Sequence, residues 1–390
     1  MTWPRFSRRM SSLPPSFLEE LFRVSQLEGI ISFAGGLPDA TLIDCEGIAR
    51  ASGQVLSEEP MVALQYSTTD GYLPLREYIA ERYKSRFNIP PEPDNIQIVN
   101  GSQQCLDLVA KIFLDTGDTV AIEAPGYLGA IEAFSLYEPL FCPIKVTNEG
   151  PSIAELEKCV CEVKPKFFYG IPNSQNPSGI TWSNEKRLAV AQIMEGTETV
   201  FFEDDAFGEL FFDQVPRVPV KKYLPSQTVL SGSFSKIIAP GLRIGWIYAP
   251  HEIIKQFNIV KQSADLHSNF LAQKILHRYL VDNSLDEHLK KISEIYGKRC
   301  SYMCDLIDDM LPQCIHTKPE GGMFLIVNLP DSISAMDLFK KGINEGVAVL
   351  PGSPFFVNGG GDDFIRLNFS NTSFESIYEG MERLKKAFDR

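Results

Sequence analysis

The sequence predicts an α/β chain: a large domain with a mostly parallel sheet between helices, and a smaller α+β domain. Three observations predict this. Short apolar runs, each closed by a turn and followed by a helical pattern, recur from about residue 95 to residue 250. That alternation gives parallel strands covered on both faces. After about residue 251 the pattern changes to long helices followed by a few strands. The length of 390 residues suits a large and a smaller domain better than one core. We expect the large domain at 46–284 and the small one at 1–45 with 285–390, including an N-terminal arm.

Taken in order, residues 14–28 read as a short amphipathic helix. ISFAGGLPD (31–39) is a brief strand running into Gly35–Gly36, either a tight turn or a place where backbone approaches something closely. Residues 45–58 are helical; 64–87 is a loop and then a helix from Leu73–Pro74, proline being allowed in a first turn. NIQIVNGSQQCLDLVAKIFL (95–114) is strand, turn and helix, and 119–136 repeats that unit. So do 166–179 with a helix at 183–194, and 198–210; strands at 228–234 and 243–250 follow. Beyond them lie a helical region at 252–310 broken near Asn283, a strand at 321–329, and a helix at 335–345. VAVLPGSPF, FIRLNFS and a last helix at 373–388 complete the chain.

Composition narrows the function. Hydrophobic residues at 44% and charged ones at 22% are ordinary for a soluble globular enzyme. A net charge of −13 opposes a general nucleic-acid or anionic-membrane surface. No apolar run is long enough to span a bilayer. The basic start, MTWPRFSRRMSSLPPSF, has no apolar core behind it and reads as an N-terminal arm rather than a secretory signal. The eight cysteines contain no CxxC and no histidines at zinc spacing; Cys159 and Cys161 are two apart, and Cys300 and Cys304 share a helical face. Buried free thiols in a reducing cytoplasm account for them.

The chemistry concentrates in LSGSFSKIIAPGLRIGW (230–246), where Lys236 and Arg243 are the only charges. A lysine in apolar surroundings loses hydration of its ammonium form, so its pKa falls and a neutral amine becomes available. That amine can condense with an aldehyde, while Ser233 and Arg243 offer donors suited to a phosphate. Together they describe a pyridoxal phosphate (PLP) site; capping of a strand end is the plainer alternative.

Ligands in open α/β sheets bind beyond the carboxyl ends of the strands. Gly101, Ser102 and Gln103 follow a strand and open a helix, where amides face an anion, or where Ser102 only caps the helix. Tyr127 could stack on a flat heterocycle or fill the core. Asn176 in SQNPSG sits in a turn and could donate to a phenolate oxygen. Glu203, Asp204 and Asp205 end the strand VFFEDD. One aspartate there could hold a ring nitrogen protonated, the other two acids being solvated or capping the next element; no further ligand pattern supports a metal.

The order S-x-S-K-x-x-x-P-G-x-R-x-G resembles the PLP-lysine segment of class I/II aminotransferases of fold type I. With ISFAGGLP and the segments above in the same order, the chain resembles the aminoadipate, kynurenine and aromatic aminotransferase branch. The resemblance implies a seven-stranded type of sheet, PLP, a homodimer, and transfer of the amino group of an L-amino acid to a 2-oxo acid. It implies that Lys236 forms the imine and moves the proton, and that Asp204 pairs the ring nitrogen. Asn176 would bond the ring oxygen and Tyr127 stack on the ring. Gly101, Ser102, Gln103, Ser233 and Arg243 would hold the phosphate, with Tyr66 reaching in from a second subunit. Arg366 in FIRLNFS would grip the substrate carboxylate, and Gly36 lie over the substrate.

Two departures stand out. Phe207 occupies the place of the family's tyrosine in D-x-x-Y, which removes one donor to the ring oxygen. Glu19 in SFLEE stands where relatives often carry an arginine. Facing the substrate, Glu19 would repel acidic side chains and welcome cationic ones; in a helix's first turn it would simply be solvated. These departures keep open a second reaction on the same scaffold: elimination, replacement or cyclisation of a substituted, possibly cationic, amino acid.

Overall fold

The computed structural model describes residues 6–12, Phe17 and 29–390. Apart from Phe17, the helix expected over 14–28, with Glu19 in it, lies outside the described residues.

The central sheet has eight strands, in the order Ile96–Val99, Gly245–Tyr248, Thr228–Ser233, Val200–Asp205, Phe167–Gly170, Thr119–Ala124, Leu140–Thr147 and Gly150–Pro151. Five of these, from Thr228–Ser233 to Leu140–Thr147, pair parallel. Gly245–Tyr248 runs antiparallel to both its neighbours, and Gly150–Pro151 is a two-residue antiparallel edge. The eighth strand, beyond the expected seven, is that edge.

Period-two alternation explains how the sheet is covered on both sides. Val120, Ile122, Phe167, Tyr169 and Phe202 pack with Leu106, Val109, Phe134, Ile254 and Phe257 of the helices on one face. Their neighbours Ala121, Phe168 and Phe201 face the other way, against Leu156, Trp182, Val190 and Met194. Every residue of FFYG and of IQIV is buried, as strands buried on both faces require.

The second layer is smaller. Ile315–His316, Phe324–Asn328, Phe364–Asn368 and Leu350–Pro351 form an antiparallel sheet. Ile31–Ser32 pairs parallel with Val347–Ala348. The helices Leu285–Met310, Ala335–Asn344 and Phe374–Phe388 accompany these strands. The helical region after residue 250 breaks twice, not once: it forms His251–Asp265, Phe270–Asp282 and Leu285–Met310. Leu266, at φ +62°, ends the first helix, and the Asn269 side chain caps the second by accepting from Ala272 N at 2.9 Å. Asn269 was the available signal, an N-cap residue inside an otherwise helical pattern.

All eight cysteines are unpaired. Cys105, Cys159, Cys300 and Cys314 are buried, but Cys45 and Cys161 are exposed, against the expectation of burial. Both fall on helical stretches whose outward face happens to carry a thiol. Among the described residues, no helix is long and apolar enough to cross a membrane, and no group of three or more side chains could hold a metal ion.

Candidate active site

At the carboxyl ends of the parallel strands, under the second layer, lies a cavity of about 540 Å³, the size of a cofactor-and-substrate site. Of the positions singled out in the sequence, Gly36, Ser102, Gln103, Tyr127, Asn176, Asp204, Ser233, Lys236, Arg243 and Arg366 line it; Gly101 and Tyr66 do not, and Glu19 lies outside the described residues.

Asp204 is buried beneath the cavity. Tyr169 Oη donates to its Oδ2 at 2.7 Å and Ser231 Oγ to its Oδ1 at 2.8 Å. Burial raises its pKa, and the two hydroxyl donors oppose that. Strand alternation turns Glu203 and Asp205 to the other face. Glu203 accepts from Val220 N and Lys221 N, each at 2.9 Å, so it caps the next element, as one of the two alternatives held. It is fully buried, and burial pushes its pKa up to about 7. Asp205 accepts from Asn173 Nδ2 at 2.7 Å and is half-buried.

Lys236 follows the strand Thr228–Ser233. Its Nζ donates to the Gly36 carbonyl at 2.7 Å. Burial, and then the nearby positive charges of Arg366 and Arg243, lower its pKa to about 8. About a tenth of this amine is therefore neutral at pH 7, against well under a hundredth for an ordinary lysine.

The anion-binding end is built by a turn and a helix start. Gly101 caps the helix Ser102–Phe113 at φ +78°. The positive φ favours glycine, and a Cβ there would lie 2.7 Å from Arg243 Nη2, so any other residue would also displace the guanidinium. Ser102 is the first helical residue; the cap is Gly101, not the serine. Arg243 itself sits in the left-handed region at φ +55°, and its Nη2 donates to the Asn100 carbonyl at 3.2 Å. Ser233 Oγ accepts from Ser235 N at 3.1 Å. Ser235, the second serine of the S-x-S-K motif, also lines the cavity. Gln103 Nε2 donates to the Gly129 carbonyl at 2.9 Å, and Tyr127 Oη to Gln103 Oε1 at 3.3 Å. Burial raises the Tyr127 pKa to about 12, so its ring is neutral.

The opposite end holds Arg366, on the strand Phe364–Asn368. Among the described residues it is buried without a carboxylate: Nη1 donates to Asn176 Oδ1 at 2.8 Å, Nη2 to the Ala34 carbonyl at 2.5 Å, and buried Nε has no partner there. Its guanidinium carbon lies 4.1 Å from the Phe324 ring centroid and 5.4 Å from that of Phe355. Burial lowers its pKa to about 9, which leaves it charged at neutral pH. Phe207 is buried in the wall, edge-on to Phe324 with centroids 5.8 Å apart. Tyr66 is 77% exposed and edge-on to His267, away from its own chain's cavity.

Sequence reasoning missed the apolar walls: Leu37, Ile171, Phe324, Leu350 and Phe355. Phe324, closely following Gly321–Gly322, carried a weak signal; Leu350 carried none.

Residues 34–384 match the family Aminotransferase class I and II. The chain is 38% identical to the 2-aminoadipate transaminase of Thermus thermophilus, over 99% of this chain and 97% of that one. It is 37% identical to aromatic-amino-acid aminotransferase 1 of Thermococcus litoralis, over 97% and 93% of the two chains. The crystal structure of the α-aminoadipate aminotransferase of Thermus thermophilus, complexed with N-(5'-phosphopyridoxyl)-L-leucine, superposes with a TM-score of 0.92 at 38% identity, covering 98% and 97% of the chains. A half-buried amine, a buried carboxylate and an anion-ready helix start around one cavity agree with that kinship: the chain belongs to the class I and II aminotransferases, a PLP-dependent transferase of amino groups.

Proposed function

We propose that this enzyme moves the amino group of an L-amino acid to a 2-oxo acid with the residues named above in specific roles. The observation that carries the proposal is one cavity lined by the half-buried amine of Lys236, the buried carboxylate of Asp204 and the buried guanidinium of Arg366, which no carboxylate pairs among the described residues. When bound, PLP supplies an aldehyde and an electron-accepting ring. The residues fit that group: among the described residues Lys236 has no carboxylate against it, and Asp204 has lone pairs left over from its two hydroxyl donors. In this reading Lys236 Nζ would hold the cofactor's aldehyde end and serve as the proton carrier of the site. Asp204 would pair with the ring nitrogen, Asn176 with the ring oxygen, and Tyr127 would stack on the ring. Gly101, Ser102, Gln103, Ser233 and Arg243 bind the phosphate. Arg366 orients the substrate carboxylate, and Gly36 lies over the substrate. The apolar walls exclude water from the reacting atoms.

The unit of function in this reading is a homodimer. Met61, Val62, Leu64 and Tyr66 form an exposed apolar run, 87%, 53%, 68% and 77% exposed. A monomer rarely leaves such a run in water, and covering it with a second copy would bring Tyr66 to the partner's site. The division at 46–284, and a reducing cytoplasm for the unpaired thiols, belong to the same reading.

The relatives do not favour elimination, replacement or cyclisation. Incubating the holoenzyme with single amino acids tests the choice. Stoichiometric pyridoxamine phosphate and a keto acid are expected; ammonia or a cyclic amino acid as the main product would overturn the proposal. Running acidic, aromatic and cationic donors in wild type and Glu19→Gln tests the side-chain role of Glu19. Loss of a cationic preference in the variant supports it, and an unchanged ranking removes it.

A further inference from the structure

The turn that brings Ser102 and Gln103 to the cavity is fastened by a carboxylate outside the cavity wall. Asp265 ends the helix His251–Asp265. Its Oδ2 accepts from Asn100 Nδ2 and from Gln104 Nε2, each at 2.6 Å. Both its oxygens lie 2.9 Å from Lys261 Nζ. Gln104 Oε1 in turn accepts from Asn100 N at 2.8 Å and from Lys261 Nζ at 3.1 Å. The Asn100 carbonyl receives Arg243 Nη2. One carboxylate thus reaches both flanks of Gly101–Ser102–Gln103 and, through one carbonyl, the guanidinium as well.

The charge balance makes this tie compatible with a nearby anion. A lone carboxylate behind a phosphate site would repel the phosphate. Lys261 is fully buried and pairs with Asp265, so the pair fixes geometry with little net charge. Burial lowers the Lys261 pKa and Asp265 opposes that shift. A second tie from the same segment, Ser268 Oγ to the Ile98 carbonyl at 3.2 Å, holds the strand that leads into the turn.

We propose that Asp265 is a positioning residue for the cofactor phosphate: it sets the turn at 100–104 and the Arg243 guanidinium in register for one anion. The inference rests on the phosphate-site reading given above. Hydrogen bonds to an anion weaken steeply with misalignment, so a turn released from Asp265 loses phosphate affinity even though no phosphate ligand has changed.

The test titrates apo-protein with PLP and with pyridoxal, which has the same aldehyde and ring but no phosphate, following the visible absorbance of bound ligand. Wild type should prefer PLP strongly. Asp265→Ala should lose roughly 10-fold or more in PLP affinity while pyridoxal affinity stays within about threefold. Asp265→Asn, which keeps one acceptor oxygen but leaves Lys261 unpaired, should fall between, and it carries the test if the alanine variant does not fold. Parallel loss of both affinities, or an unchanged preference for PLP, would overturn the inference. A wild type without preference for PLP would instead overturn the phosphate-site reading on which it stands.

Discussion

Arg366 Nη1 donates to Asn176 Oδ1 at 2.8 Å, between residues 190 apart in the chain. This bond joins the antiparallel sheet of the second layer to a turn at the carboxyl end of the parallel sheet. It therefore ties the group assigned to the substrate carboxylate to the group assigned to the ring oxygen.

Arg366→Lys should expose that coupling. Lysine keeps the charge but not the planar fork, and it cannot hold Asn176 and a carboxylate at once. We expect kcat/KM to fall about 100-fold, chiefly through KM, with the cofactor still bound. Steady-state kinetics with one amino donor measures it, and an unchanged KM would remove Arg366 from carboxylate binding.

Asp204 and Asp205 should separate cleanly. Asp204→Asn keeps an acceptor oxygen for one of the two hydroxyls of Tyr169 and Ser231, turns an NH2 to the other, and removes the charge. Its turnover should fall roughly 100-fold or more, while cofactor binding changes far less. Asp205→Asn acts on Asn173 outside the cavity and should cost less than about tenfold. The reverse ranking would shift the assignment by one residue.

Much of this was legible because the residues carry strong local signals. The strands advertise themselves as buried apolar runs such as FFYG, and alternation along VFFEDD already separates Asp204 from its neighbours. Lys236 stood out as a charge in an apolar run. What was not legible depends on contacts distant in sequence. The Lys236–Gly36 bond spans 200 residues, and the Phe324 and Phe355 rings meet Arg366 only once the second sheet has folded. The break at 266–269 needed the positive φ of Leu266, which a leucine does not signal.

Phe207→Tyr should alter the cofactor's environment. Phe207 is 5% exposed in the cavity wall, and a phenol there would add a donor toward the ring oxygen. Hydrogen bonding to an ionised form lowers its pKa. The pH at which the visible band of bound cofactor titrates should therefore fall in the variant. A rise, or no shift, would place the Phe207 edge away from that oxygen.

Cofactor capture should follow the Lys236 amine. Its pKa is lowered to about 8, so the neutral fraction grows with pH below that value and saturates above it. The second-order rate of PLP capture by apo-protein should rise with pH and level off above about 8. An ordinary exposed lysine would keep gaining until about pH 10.4. Stopped-flow absorbance from pH 6 to 10, with a free amine as the reference for the ionisation of PLP itself, measures the difference.

The central claim is that Lys236 is the residue joined to the cofactor. Borohydride reduction of the holoenzyme, followed by proteolysis and mass spectrometry of the peptides, tests it most directly. A phosphopyridoxyl group is expected on Lys236, and none on that peptide in Lys236→Ala, whose turnover should drop at least about 1,000-fold. A modified lysine elsewhere, or near-normal turnover in Lys236→Ala, would contradict it.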